Sequence, residues 1–111
     1  MMRYGVKSQT GEAKKMYKIL YMEKLRENLQ EISDFLDDID VNLADKILDE
    51  ISMRIQSLEN MPSRFPRYAY NKDYRWTKVR KYMIFYKVFD DTKIVEVHRI
   101  LHSAQNIKDL L

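Results

Sequence analysis

Cysteine is absent from all 111 residues, so the chain can hold no disulfide and offers no thiolate as nucleophile or soft metal ligand. Glycine is nearly as scarce, and both copies, Gly5 and Gly11, precede Met16. Loops that cradle phosphate need glycine where the backbone approaches the anion, so P-loop and dinucleotide chemistry is excluded from residues 16–111. The two prolines, Pro62 and Pro66, fall in one short stretch, which leaves the rest free for unbroken helices and strands. No apolar run approaches the ~20 residues of a bilayer-spanning helix, and no apolar signal core marks the N-terminus. A soluble cytoplasmic chain with no membrane partner is expected.

What is present is a globular balance, 45% hydrophobic and 33% charged, at a length that suits one core. The charge is unevenly spread. Residues 1–15 carry Arg3, Lys7, Lys14 and Lys15 against Glu12, which accounts for the whole net +3. Residues 16–60 hold 5 basic against 11 acidic side chains, and residues 61–111 reverse this at 11 against 5. Such a swing predicts one acidic and one basic surface, the latter able to steer a polyanion or an acidic partner.

Residues 1–15 show neither a helical stripe nor sustained alternation, and they read as a flexible extension outside the fold. Gly11 and Glu12 can be encoded as a purine-rich ribosome-binding sequence shortly before Met16. Two readings therefore stay open, a true start at Met16 or a translated tail. From Met16 the run MYKILYM is aromatic and β-branched and predicts a strand. Leu25, Leu29, Ile32, Leu36 and Ile39 then recur at steps of three or four, which predicts a helix over 23–39. Asp40 is a suitable cap for a second helix with the stripe Ala44, Ile47, Ile51, Ile55 and Leu58, ending before Pro62. The short link between them implies an antiparallel hairpin.

Residues 61–73 lack a period and read as a loop. Strands are expected over 74–80, 82–89 and 93–101, with a turn at Asp90–Thr92, and Ser103 is a candidate cap for a short closing helix. The sum is a two-layer α+β domain over 16–111, of order β-α-α-β-β-β plus the short helix. Its helical hairpin would lie across a mainly antiparallel four-stranded sheet.

Between Arg64 and Tyr82, seven basic residues (Arg64, Arg67, Lys72, Arg75, Lys78, Arg80, Lys81) face only Asp73 and alternate with Phe65, Tyr68, Tyr70, Tyr74, Trp76 and Tyr82. Cations attract phosphate and aromatic rings stack on bases, so Arg64, Arg67, Lys72, Trp76, Lys78, Arg80 and Lys81 are candidates for contact with a partner or target. A nucleic-acid surface, a seat for an acidic protein and a solvated face all fit this composition. Strand alternation divides the cluster: Trp76, Lys78 and Arg80 share one face, and Arg75, Thr77 and Val79 share the other, which Val79 marks as inward. His98 and His102, if both on one strand, stand ~13 Å apart, too far for one metal ion, and no metal or other cofactor is expected. The run Asp34, Asp37, Asp38 and Asp40 reads as a solvated helix face and end.

The phrases YKILY, YMIFYKVFDD and VHRILHSAQNIKDLL, in this order, resemble toxins of the RelE/ParE superfamily across residues 16–111, on the ParE-like side. The resemblance implies the toxin of a bacterial type II toxin-antitoxin pair, of the kind linked to plasmid stabilisation. It would inhibit growth by binding a target such as DNA gyrase, in a hetero-oligomer with a short, acidic, DNA-binding antitoxin. RelE-like members instead cut messenger RNA on the ribosome with cations and a late acid or base. Their central-strand Arg falls here on Met83, a second Arg on about Ala104 and the late Tyr on about Lys108. A nuclease reading would have to rest on Arg75, Lys78, Arg80 and His102. The resemblance therefore leans away from an enzyme.

Overall fold

A computed structural model describes residues 16–111, and the expected extension over 1–15 lies outside the described residues. The chain opens with β1, Lys18–Tyr21, and turns directly into α1, Glu23–Asp37, and α2, Val41–Gln56. Two 3-10 turns, Ser57–Glu59 and Pro62–Arg64, lead to β2, Arg67–Tyr68, and then to β3, Asn71–Val79. After β4, Tyr82–Phe89, and β5, Ile94–His102, the chain closes with α3, Ile107–Leu110.

The strands form one sheet in the order β1-β5-β4-β3-β2, with β1 parallel to β5 and the other pairs antiparallel. The α+β architecture is as the sequence implies, but the sheet has five strands rather than four. The added β2 arises inside the expected loop, because Arg67 and Tyr68 extend beside β3 where Trp76 N–H donates to Pro66 O at 3.0 Å. The same pairing carries β3 back to Asn71, ahead of the expected start at 74.

The hairpin covers one face of the sheet. Leu25, Leu36, Ala44, Ile47, Ile51, Ile55 and Leu58 pack on Val79, Ile84, Tyr86, Val95, Val97 and Ile100. Helix α1 stops two residues short of expectation, and Ile39 is 60% exposed rather than part of the stripe. Asp40 does cap α2, its Oδ1 accepting from Asn42 N–H at 2.9 Å and Leu43 N–H at 3.2 Å. Ser103 caps nothing. Its N–H donates to Lys81 O at 2.8 Å and prolongs the β4–β5 ladder, so the chain turns before α3 can begin and Asn106 takes the position ahead of that helix.

A bulge decides which residues of β5 face the helices. Tyr86 pairs with Val97 but Phe85 pairs with Arg99, which leaves His98 as an extra residue. Inward positions therefore shift from Val95 and Val97 to Ile100.

Candidate functional site

Beyond Tyr21 the chain leaves the sheet for α1, so the second half of β5 has no neighbouring strand on that side. An open edge exposes backbone donors, and side chains fill the role of the missing strand here. Asn28 Oδ1 accepts from Ile100 N–H at 3.2 Å and from Arg99 Nε at 2.9 Å, while Gln105 Oε1 accepts from His102 N–H at 2.8 Å. The Arg99 guanidinium also donates to Leu110 O and ties down the C-terminus. Between α1 and this edge runs a groove of ≈ 590 Å³ lined by Glu31, Ile32, Phe35, Tyr82, His102 and Leu110 among others. Phe35, 62% exposed, stands at its mouth. Sequence reasoning did not identify this groove. Its one local signal is Asn28, a polar residue at the three-residue step after Leu25 where the stripe calls for an apolar one.

The opposite face of the sheet carries the basic and aromatic segment. Thr77 and Val79 are buried under the helices, so Trp76 and Lys78 point outward beside Phe85 and Met83. A second apolar cluster forms there from Phe85, Leu101 and Ile107, with Tyr68, Tyr74, Trp76, Met83 and Leu111 packed around it half-buried. Tyr68 meets Phe85 edge-on at 5.1 Å and leans on Tyr70 at 5.6 Å. Lys87 Nζ lies 4.8 Å over the Tyr74 ring and Lys108 Nζ 5.3 Å over the Tyr70 ring. Lys72 and Lys78 are exposed on this face, and Lys81 is exposed in the β3–β4 turn at its end.

The remaining candidates from this segment are held elsewhere. Arg64 donates to Ser57 O at 3.3 Å, Met61 O at 3.1 Å, Ser57 Oγ at 3.0 Å and Asn60 O, and stacks 4.5 Å from the Phe65 ring centre. It clamps the end of α2 and the turn after it. Arg67 donates to Lys72 O at 3.0 Å and closes the β2–β3 turn from an exposed position. Arg75 shares the inward parity of Thr77 and donates to Phe65 O at 2.7 Å.

Arg80 departs from the face expected for it. Its φ of 54° turns the chain out of strand geometry, and its guanidinium makes two bonds to Glu50 of α2, at 2.8 and 3.0 Å. That pair holds the Glu50 carboxyl below, and the Arg80 guanidinium above, their ordinary values, chiefly through the hydrogen bonds themselves. At the far end of β5, His102 Nδ1 accepts from Ala104 N–H at 3.0 Å and the ring meets Tyr82 edge-on at 5.5 Å. His102 is in register with Tyr82 and Lys78 with Met83, so His102 and Lys78 emerge on opposite faces of the sheet. The four groups of a nuclease reading do not converge. Among the described residues no three His, Asp or Glu side chains gather where a metal ion could sit, and no helix is long and apolar enough to cross a membrane.

Residues 19–107 match the family model described as the ParE toxin of the type II toxin-antitoxin system parDE. No curated protein matches significantly. The fold is similar to a chain of the chromosomal ParDE toxin-antitoxin system of P. aeruginosa, with a TM-score of 0.67 at 18% identity, over 78% of this chain and 96% of that one. It is also similar to a chain of the RelBE2 toxin-antitoxin complex of Mycobacterium tuberculosis, with a TM-score of 0.54 at 17% identity, over 81% of this chain and 94% of that one.

Proposed function

The chain belongs to the ParE toxin family of type II toxin-antitoxin systems, and from that premise we propose that it arrests growth by binding a macromolecular target, DNA gyrase, rather than by cutting RNA. The observation that carries this reading is the dispersal of Arg75, Lys78, Arg80 and His102. Stabilising the charge of a phosphodiester transition state requires preorganised cations around one phosphate, with an acid or base in reach. Here Arg75 is bonded to a backbone carbonyl, Arg80 to Glu50 and His102 Nδ1 to a backbone N–H, and Lys78 is the one of the four that points to the outer face. A surface of this kind binds and does not cleave.

Neutralisation follows the same logic. The two solved structures of similar fold named above come from a ParDE toxin-antitoxin system and a RelBE2 toxin-antitoxin complex, and a short acidic antitoxin in the cytoplasm of a bacterial cell is the partner that suits this charge distribution. Its acidic segment would settle on the outer sheet face around Lys72, Lys78 and Lys81. Its apolar side chains would reach the groove beside Phe35.

Inducing the chain in a bacterial host while following DNA and protein synthesis separately tests the target. DNA synthesis should stop first, and purified chain should inhibit gyrase supercoiling. Immediate arrest of translation with cleaved ribosome-bound messenger RNA would reject the binding reading in favour of the nuclease one.

A further inference from the structure

The outer face of the sheet combines two features that a seat for an acidic protein does not require together. The first is unpaired positive charge. Among the described residues the ion pairs are Arg80 with Glu50 and His98 with Glu96, so among them Lys72, Lys78 and Lys81 have no carboxylate partner, while Lys108 Nζ rests over the Tyr70 ring. The second is a row of rings set among them. Tyr74 and Trp76 lie half-buried on the outward positions of β3, held from beneath by the cluster around Phe85, and Tyr70 is 71% exposed at the β2–β3 turn. Half-buried rings packed on a rigid sheet are fixed in orientation, which is what a stacking platform needs.

Spacing selects the form of polyanion. Two rings, Tyr74 and Trp76, point outward along β3 with Lys78 next in the row, so neighbours are about 6.6 Å apart at ~3.3 Å per residue. Bases in a duplex rise only ~3.4 Å per nucleotide and already stack on one another. Seating successive bases on these rings requires a strand drawn out to roughly twice the duplex rise, with its bases unpaired. A single strand can do this and a duplex cannot. We propose that the outer face, centred on Tyr70, Trp76 and Lys78, binds single-stranded nucleic acid without sequence readout and without cleaving it. Phosphates lie against Lys72, Lys78 and Lys81, and bases stack on the rings. This goes beyond the toxin reading and holds whichever macromolecule is the cellular target.

Trp76 is the sole tryptophan, so the full chain reports its own binding. Fluorescein-labelled dT15 and U15 would be titrated at two salt concentrations, following oligonucleotide anisotropy and Trp76 emission, with a dA15·dT15 duplex and poly-glutamate as competing polyanions. The expected result is quenching of Trp76 by the single strands alone, with the oligonucleotides recovered intact. Lys78→Ala should lower the slope of log affinity against log salt by ~0.7, as expected when one phosphate contact is lost to a single strand. Tyr70→Ala, at a position 71% exposed, should weaken binding about tenfold with the melting temperature kept close to that of the parent, within the range for loss of one stacked base.

Absence of binding overturns the proposal, as do equal affinity for the duplex and indifference to Tyr70→Ala. Binding of poly-glutamate with no effect of dT15 would assign the face to acidic protein instead. Gyrase inhibition is read in a separate assay, so failure here leaves the toxin reading untouched.

Discussion

Two buried side chains show how single residues hold this molecule. Asn28 is 9% exposed, and its one carbonyl oxygen serves both Ile100 N–H and Arg99 Nε. In Asn28→Leu both donors lose their partner inside the protein, at a cost of about 1–3 kcal/mol for the buried N–H alone. A urea midpoint equal to that of the parent would show that water replaces the amide. Tyr86 is fully buried, and its hydroxyl donates to Pro62 O at 2.6 Å. Burial pushes its pKa from the ordinary 10.0 up to about 12. A raised pKa favours the folded state below the unfolded value, so this contribution is intact below pH 10 and is lost as pH rises from there through about 12. The loss should reach at most about 1.4 kcal/mol per pH unit, and Tyr86→Phe should show a shallower decline in chemical denaturation over that window. Identical alkaline profiles would remove Tyr86 as the responsible group.

Elements are positioned by polar groups at their ends as much as by their stripes. Helix α2 starts at the Asp40 cap and finishes under the Arg64 clamp, so both ends of the hairpin's second limb are fixed. Asp40→Ala should lower stability by about 1 kcal/mol, as for other N-cap losses, measured by thermal or urea unfolding. Arg64 was among the candidate contact residues, yet it spends its donors inside the chain. Arg64→Ala should therefore reduce the melting temperature while leaving antitoxin affinity unchanged; weaker antitoxin binding by a stable variant would return Arg64 to the working surface. At the centre of the sheet, Ile84 is fully buried between β3 and β5, and Ile84→Ala should cost on the order of 2–5 kcal/mol in denaturant. An unchanged midpoint would contradict its burial.

Across the whole molecule the two layers carry opposite charge, the helical hairpin acidic and the strand segment basic. The division has a physical use. An acidic antitoxin of the kind proposed above would be repelled by one layer and drawn to the other, which would steer encounter before any contact forms. Changing Lys72, Lys78 and Lys81 together to alanine should slow association with the antitoxin severalfold at low salt and flatten its salt dependence, measured by stopped flow. The dissociation rate should change less, because such exposed charges act mainly on encounter. Equal association rates at all salt concentrations would detach the basic face from partner recognition.

The amino-acid sequence by itself determined the two-layer class, the hairpin and its Asp40 cap, the central strand Tyr82–Phe89 and the charge asymmetry. All of these follow from local periodicity and composition, which the tertiary structure only assembles. The inward parity of Thr77 and Val79 was legible for the same reason, since alternation within one strand needs no partner. Legibility ended where a long-range partner decides the outcome. Strand β2 exists because β3 passes beside Arg67, and Arg80 left the face of Lys78 because Glu50, thirty residues earlier, captured it at a residue with positive φ. The groove escaped detection because it lies between α1 and a strand edge more than sixty residues away, left open when β1 ended at Tyr21. A bulge at His98 then set which β5 side chains line the helix side. Local pattern specifies what each segment can be, whereas a site depends on which segments meet, and that is decided by packing the hairpin on the sheet.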